Sequence, residues 1–144
     1  MNPIFLQRIS YRLKKIPALP KLITYFIRLV FGCYLPYLIK LGENFKLGYG
    51  GIGVVIHERT IIGDDVHVDQ NVTIGGTSKK YEVPTIGNSV YIGAGAVILG
   101  PVIIGNDVVI GANAVVVKDV PSGSLVVGVP AEIIKSNIKK SDYV

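Results

Sequence analysis

Residues 48 to 53 read GYGGIG, a Gly-x-Gly-x-x-Gly spacing. In a dinucleotide-binding protein that spacing follows a buried strand and opens a helix, whose N-terminus holds a pyrophosphate. Here the upstream segment KLGENFK is polar, and the downstream segment VVIHERTII is β-branched and reads as strand. The helix is missing, so the pyrophosphate reading fails and the glycines need another explanation. Tyr49 sits inside the segment and His57 follows it closely. His67, in DDVHVD, is the only other imidazole of the chain. Cys33 is the single cysteine, which excludes an internal disulfide and a cysteine-cluster metal site and fits a reducing compartment. No metal is expected.

Something must position these residues, and composition narrows what it is. The chain has 144 residues, enough for one domain with a core. It is 49% hydrophobic, only 17% charged, and carries 17 glycines and no tryptophan, the profile of a glycine-punctuated β protein. The net charge of +5 is uneven. Residues 1–40 hold seven basic side chains (Arg8, Arg12, Lys14, Lys15, Lys21, Arg28, Lys40) and no acidic one; residues 41–144 hold eight basic and ten acidic, a balance of −2. A basic, apolar arm is therefore joined to a near-neutral body. Within the arm, the longest uncharged stretch, Leu29 to Ile39, has 11 residues, against about 20 needed to cross a bilayer. No secretory signal is recognised, and a cytoplasmic protein without a nucleic-acid partner is expected.

The positioning element is a repeat. Counting by six from Ile56 gives Ile62, Val68, Ile74, Lys80, Ile86, Ile92, Ile98, Ile104, Ile110 and Val116, all Ile or Val but one. Four residues after each, small or β-branched residues recur: Thr60, Val66, Val72, Pro84, Val90, Ala96, Val102, Val108, Ala114 and Val120. Glycine follows the aliphatic at Gly63, Gly75, Gly87, Gly93, Gly105 and Gly111. Period six is neither helical nor simple alternation. It fits a short strand plus a tight corner, three to a coil, with coils stacked so that strands pair in parallel and the aliphatics fill a prism. The glycines are expected to relieve backbone strain at the corners. The frame slips twice. Lys80 lies in GTSKKYEVPT, residues 76–85, expected as a loop thrown out from the prism, either a plain excursion or a wall of a site. Leu47 and Ile56 are nine apart instead of six, so three extra residues enter within GYGGIG. These glycines are thus expected to let the chain bulge.

Apolar residues at Ile4, Phe5, Ile9 and Leu13, near helical spacing, predict one helix in the arm. Pro17 and Pro20 are breakers, and residues 21–33 form a second helix. The arm caps the open coil, packs between subunits, or meets an anionic membrane surface through its basic and aromatic residues. Pro121 and Pro130 stop regular coiling, and KSNIKKSDYV reads as a frayed basic tail. The expected divisions are an arm at 1–38, the repeat at 39–134 and a tail at 135–144.

Hexads such as IGDDVH, IGAGAV and IGANAV, with the ending VPSGSLVVGVPAEII, resemble the hexapeptide-repeat acyltransferases. KLGENFKLGYGGIGVVIHE with QNVTIGGTS is similar to their serine O-acetyltransferase branch and its relatives in surface-polysaccharide gene clusters. The resemblance covers residues 40–134. It implies an all-β fold, a left-handed parallel β-helix with a short α-helical N-terminal arm. It implies a homotrimer whose sites lie between neighbouring coils, and acetyl transfer from acetyl-CoA to a hydroxyl or amine. A histidine acts there as general base, and backbone N–H groups at the corners hold the oxyanion.

By the resemblance, an ungapped alignment through KLGENFKLGYGG places the branch's catalytic histidine on Tyr49, its acidic partner near Tyr34 and a second histidine on Val83. All three are replaced. A phenol with a free pKa of about 10 is a poor base at neutral pH, although Tyr49 can donate a hydrogen bond. The standard serine mechanism is therefore not expected. The expected acceptor is a sugar hydroxyl in surface-polysaccharide biosynthesis; serine, an amino-sugar nitrogen and a non-catalytic trimeric scaffold are the alternatives. His57 and His67 are the candidate bases. Gly75, Gly76, Ala94, Gly95, Ala112 and Asn113 would line the pantetheine groove, with Lys118, Lys135 or Lys139 toward the CoA phosphates.

Overall fold

An aliphatic side chain every sixth residue can be buried only if the backbone turns by a third of a circle between one and the next. In the computed structural model, which describes residues 2–144, that is what the chain does. Ile56, Ile62, Val68, Ile74, Ile86, Ile92, Ile98, Ile104, Ile110 and Val116 all point inward and are buried, as are the residues four positions after them except Ser78, which lies exposed beyond the frame slip. Full burial of one such side chain is worth about 1.5–3 kcal/mol. Three parallel faces result, forming a left-handed parallel β-helix. One face stacks Val55–Ile56, Thr73–Gly75, Val97–Leu99 and Val115–Val116. The second stacks Lys40–Leu41, Ile61–Ile62, Thr85–Ile86 and Ile103–Ile104. The third stacks Lys46–Leu47, His67–Val68, Tyr91–Ile92, Val109–Ile110 and Ser124–Val127.

Partners on regular coils are 18 residues apart, as Ile56 and Ile74 or Ile86 and Ile104. Leu41 and Ile62 are 21 apart, and Ile62 and Ile86 are 24 apart. Three extra residues therefore leave the column at the GYGGIG turn and six at residues 76–84, where both frame slips were expected.

The corners correct the expected role of the glycines. None of the six recurring glycines has a positive φ. At the corner between the second and third faces the left-handed positions belong to Asn44, Asp65, Ser89 and Asp107, with φ of 52–53°, which short polar side chains tolerate. The glycines are instead needed for close stacking: a Cβ on Gly63 would lie 2.6 Å from the Gly87 carbonyl oxygen, and one on Gly87 2.8 Å from Gly105. The edge is then closed by a side-chain ladder. The Glu43, Asp64, Asn88 and Asn106 amides donate in turn to Asp64 (2.7 Å), Asn88 (2.8 Å), Asn106 (2.8 Å) and Ser122 (2.9 Å).

Helix α1 (Pro3–Arg12) starts on Asn2, whose side chain accepts from the Ile4 amide at 2.8 Å. Helix α2 (Leu19–Phe31) ends on Gly32 at φ 65°. Pro20, expected to break a helix, lies in the first turn of α2, where no amide hydrogen is needed. The arm caps the open coil. The buried Gln7 side chain donates to the Pro36 and Ile39 carbonyls, and Arg8 donates to the Gly42 carbonyl at 2.6 Å. No helix among the described residues is long and apolar enough to cross a membrane.

The far end corrects the expectation of a frayed tail. Glu132–Ser136 turns back antiparallel onto Ser124–Val127. Ile138 and Lys140 are buried, and the Lys140 ammonium donates to the Asp65 carbonyl (2.6 Å) and carboxylate (2.9 Å).

Candidate active site

The chemistry-bearing residues lie along two of the column's three edges. The first is the edge where the third face turns into the face beginning at Val55. Gly48–Gly51 forms one tight turn there, with Tyr49, Gly50 and Gly51 all left-handed, at φ 50°, 73° and 82°. Tyr49 is 80% exposed. A tyrosine in this conformation is strained by roughly 1–2 kcal/mol. Gly48 rests on Asp69, so any side chain at 48 would collide with that carboxylate.

Asp69 gathers the neighbours. One oxygen lies 3.3 Å from His67 Nε2, and the other accepts from the Tyr91 hydroxyl at 2.5 Å. His67 and Tyr91 are partners on adjacent strands and meet edge to face, with centroids 5.4 Å apart at 88°. Strand alternation puts His67 and Asp69, two apart, on the same outer side. The hydrogen bond to Asp69, then burial, then the carboxylate charge push the Tyr91 phenol up to about 12. It therefore remains a donor across the physiological range. Lys46 pairs with His67 from the coil below. An open cavity of about 390 Å³ lies against Phe45, Lys46, Gly48, Gly50, His67 and the start of α1.

The second edge lies beyond Val55–Ile56 and Thr73–Gly75. His57 follows the buried Ile56, and its Nδ1 accepts the Arg59 amide at 3.2 Å. That bond uses the lone pair a base would need and leaves the neutral ring protonated on Nε2. Arg59 reaches the six-residue excursion, donating to the Tyr81 carbonyl at 2.5 Å with its guanidinium 4.1 Å above the Tyr81 ring. A Cβ on Gly76 would stand 3.2 Å from Val83 and 3.9 Å from the His57 ring. An imidazole thus returns to the neighbourhood of position 83, from a different strand.

The remaining candidates divide between the same edges. Ala94, Gly95, Ala112 and Asn113 continue upward from the Tyr49 turn, with the Asn113 amide donating to the Ala94 carbonyl at 2.9 Å. Gly75 and Gly76 lie on the second edge, and Lys118 is two coils above them, 24 and then 18 residues on through Gly100. Within one chain the two histidines are not brought together.

Asp69, Tyr91 and Arg59 are absent from the sequence-based candidates. Asp69 was within reach, because alternation along a strand pairs positions 67 and 69. Tyr91 was within reach only after adding the six-residue excursion to one coil length.

Residues 84–118 match the family described as bacterial transferase hexapeptide (six repeats). The chain is 42% identical over 123 residues to a serine acetyltransferase of Synechococcus elongatus, covering 84% of this chain and 50% of that protein. The fold matches a serine acetyltransferase of Neisseria gonorrhoeae solved in complex with serine, at TM-score 0.87 and 34% identity, over 92% of this chain and 55% of that one. It also matches the enzyme of Brucella abortus solved in complex with coenzyme A, at TM-score 0.90 and 32% identity, over 94% and 56%. The chain spans about half the length of these relatives. That they are serine acetyltransferases overturns the expectation of a sugar hydroxyl in surface-polysaccharide biosynthesis. The replaced residues at 34, 49 and 83 bear on mechanism, not on a sugar acceptor.

Proposed function

This chain belongs to the hexapeptide-repeat transferase family, and from that premise we propose that it transfers the acetyl group of acetyl-CoA to the hydroxyl of serine. The observation that carries the proposal is the likeness, over more than nine-tenths of this chain, to enzymes solved with serine and with coenzyme A. The acceptor oxygen bonds to the thioester carbon, the carbon–sulfur bond breaks, and the hydroxyl proton ends on the departing thiol. The reaction needs a base, donors for the oxyanion and a channel for the pantetheine arm.

Of the candidates His57, His67 and Tyr49, His67 and Tyr49 are the residues offered for proton handling, and His57, whose Nδ1 accepts the Arg59 amide, is offered for holding the fold. Amides at the coil corners are offered for the oxyanion. In a homotrimer the Ala94–Gly95 and Ala112–Asn113 edge of one protomer would face the Gly75–Gly76 edge of the next, with Lys118 toward the CoA phosphates. A cytoplasmic location follows from the use of acetyl-CoA. Peripheral contact with an anionic membrane is part of the same proposal. Leu22, Tyr25, Phe26 and Leu29 are exposed along α2 at helical spacing, Lys21 and Arg28 are exposed on the same helix, and no acidic residue precedes Glu43. Co-sedimentation with phosphatidylglycerol vesicles, lost in Leu29→Glu, checks it.

The test of activity is release of free CoA thiol from acetyl-CoA with L-serine. Cys33 will not interfere, because burial shields it and pushes its thiol up to about 11. The expected product is the O-acetyl ester with its α-amine free, identified at neutral pH because mild base moves the acetyl group from oxygen to the neighbouring nitrogen. Thiol release with amine acceptors alone, giving a base-stable amide, would overturn the serine reading. No release, together with no CoA binding by calorimetry, would favour the scaffold.

A further inference from the structure

We propose that His67, oriented by Asp69 and Tyr91, is the general base that replaces the imidazole missing from position 49. The inference rests on the acetyl-transfer reading above and names the residues that would perform it.

Three observations converge. The Asp69 carboxylate lies 3.3 Å from Nε2 of His67. A carboxylate there favours the proton on Nε2, which leaves the Nδ1 lone pair free to take a proton. The other Asp69 oxygen is held by the Tyr91 hydroxyl, which fixes the orientation of the carboxylate. Finally, His67 lines the cavity of about 390 Å³ that also touches Gly48 and Gly50, the residues flanking Tyr49. The imidazole thus borders the space beside the turn to which the family resemblance assigns the lost histidine. His57 has the opposite arrangement, since its Nδ1 already accepts the Arg59 amide.

The charged and titratable groups around His67 are few. Asp69 shares its strand segment, Lys46 pairs with it from below, Tyr91 pairs from above, and Tyr49 stands on the neighbouring turn. The proton balance is simple. Nδ1 takes the hydroxyl proton as the acceptor oxygen attacks the thioester carbon. Asp69 stabilises the resulting imidazolium. The tetrahedral intermediate expels the CoA sulfur, and Nδ1 returns the proton to it. His67 is the catalytic residue; Asp69 and Tyr91 are positioning residues.

The experiment compares the full chain with His67→Ala, Asp69→Asn, Tyr91→Phe and His57→Ala. The readouts are thiol release with L-serine, CoA binding by calorimetry, and the ring ¹⁵N shifts of His67. His67→Ala is expected to lose about 10²–10⁴-fold in kcat with CoA affinity unchanged. Asp69→Asn, nearly isosteric, is expected to lower kcat while leaving KM and CoA affinity unchanged, because the carboxylate no longer faces the imidazolium formed in the reaction. Tyr91→Phe is expected to lower kcat less and leave KM alone. The wild-type ring is expected as the Nε2–H tautomer. Turnover that survives His67→Ala, or an Nδ1–H tautomer, overturns this proposal and leaves the acetyl-transfer reading standing. No turnover with any hydroxyl acceptor overturns both.

Discussion

The edge carrying the Tyr49 turn and the edge carrying residues 76–84 each interrupt the column, and each holds one imidazole. They differ in what the backbone does to that ring. At the 76–84 edge, His57 is used structurally: its Nδ1 closes a turn on the Arg59 amide, and Arg59 in turn pins the excursion at Tyr81. At the Tyr49 edge, His67 has only side-chain neighbours, Asp69 at 3.3 Å and the Tyr91 ring against its edge. The Arg59 amide occupies one ring nitrogen of His57, whereas no hydrogen bond among the described residues occupies Nδ1 of His67. The third edge, with the Asp64–Asn88–Asn106–Ser122 ladder, has no imidazole and is sealed by Lys140. It serves as a structural control.

The sharpest way to break this comparison is to reverse the ranking of the two histidines. His67→Ala is expected to lose about 10²–10⁴-fold in acetyl-transfer kcat, and His57→Ala to stay within a few-fold. Steady-state thiol release measures both. Equal losses would mean that each edge supplies half of one composite site. A loss confined to His57→Ala would exchange the roles assigned here.

Backbone substitutions make the same comparison without touching a titratable group. Alanine at Gly48 collides with the Asp69 carboxylate, which must turn away from His67. Alanine at Gly76 meets Val83 at 3.2 Å and the His57 ring at 3.9 Å, a contact that small shifts relieve. Gly48→Ala is therefore expected to reproduce the kcat loss of Asp69→Asn while the protein still folds, and Gly76→Ala to keep most of its kcat. Circular dichroism alongside turnover checks both halves.

The structural control gives a smaller effect on a different axis. Lys140→Met removes the donor to both Asp65 oxygens, leaving the carbonyl unpaired. The expected loss is about 1–2 kcal/mol by urea unfolding, at the low end because the Asp65 side chain is about half exposed. Acetyl transfer should be unchanged.

These regions were unequally legible in the sequence. The column, its core and both interruptions follow from one beat, because a buried position every six residues leaves few other ways to satisfy the backbone. Residues whose partners lie a coil or more away were not legible. Tyr91 reaches Asp69 across 22 residues, and Lys140 reaches Asp65 across 75. Each span includes an interruption, or the final reversal of Glu132–Ser136, that counting by six does not carry across. The glycine positions were found but their reason was not. Sequence shows that a side chain is missing, not whether a left-handed backbone or a neighbouring coil forbids it. The sugar acceptor was expected from the repeat, the ending and the basic apolar arm, none of which reports on the acceptor, and the replacements at 34, 49 and 83 concern proton transfer.

The smallest expected effect separates the Tyr49 edge from the rest of the surface by titration. Tyr91 is pushed up to about 12, first by its hydrogen bond to Asp69 and then by burial and the carboxylate charge. A phenol raised in the folded state above its unfolded value of about 10 stabilises the fold fully below pH 10. That contribution is lost as pH rises through about 12, when the phenolate would face the carboxylate. In a difference ultraviolet titration of wild type against Tyr91→Phe, the phenol should ionise near 12, and in the Asp69→Asn background it should ionise at lower pH. A Tyr91 that titrates near 10 with Asp69 intact would mean that the phenol does not hold the carboxylate. The orientation of Asp69 toward His67, on which the contrast between the two edges depends, would then lack its support.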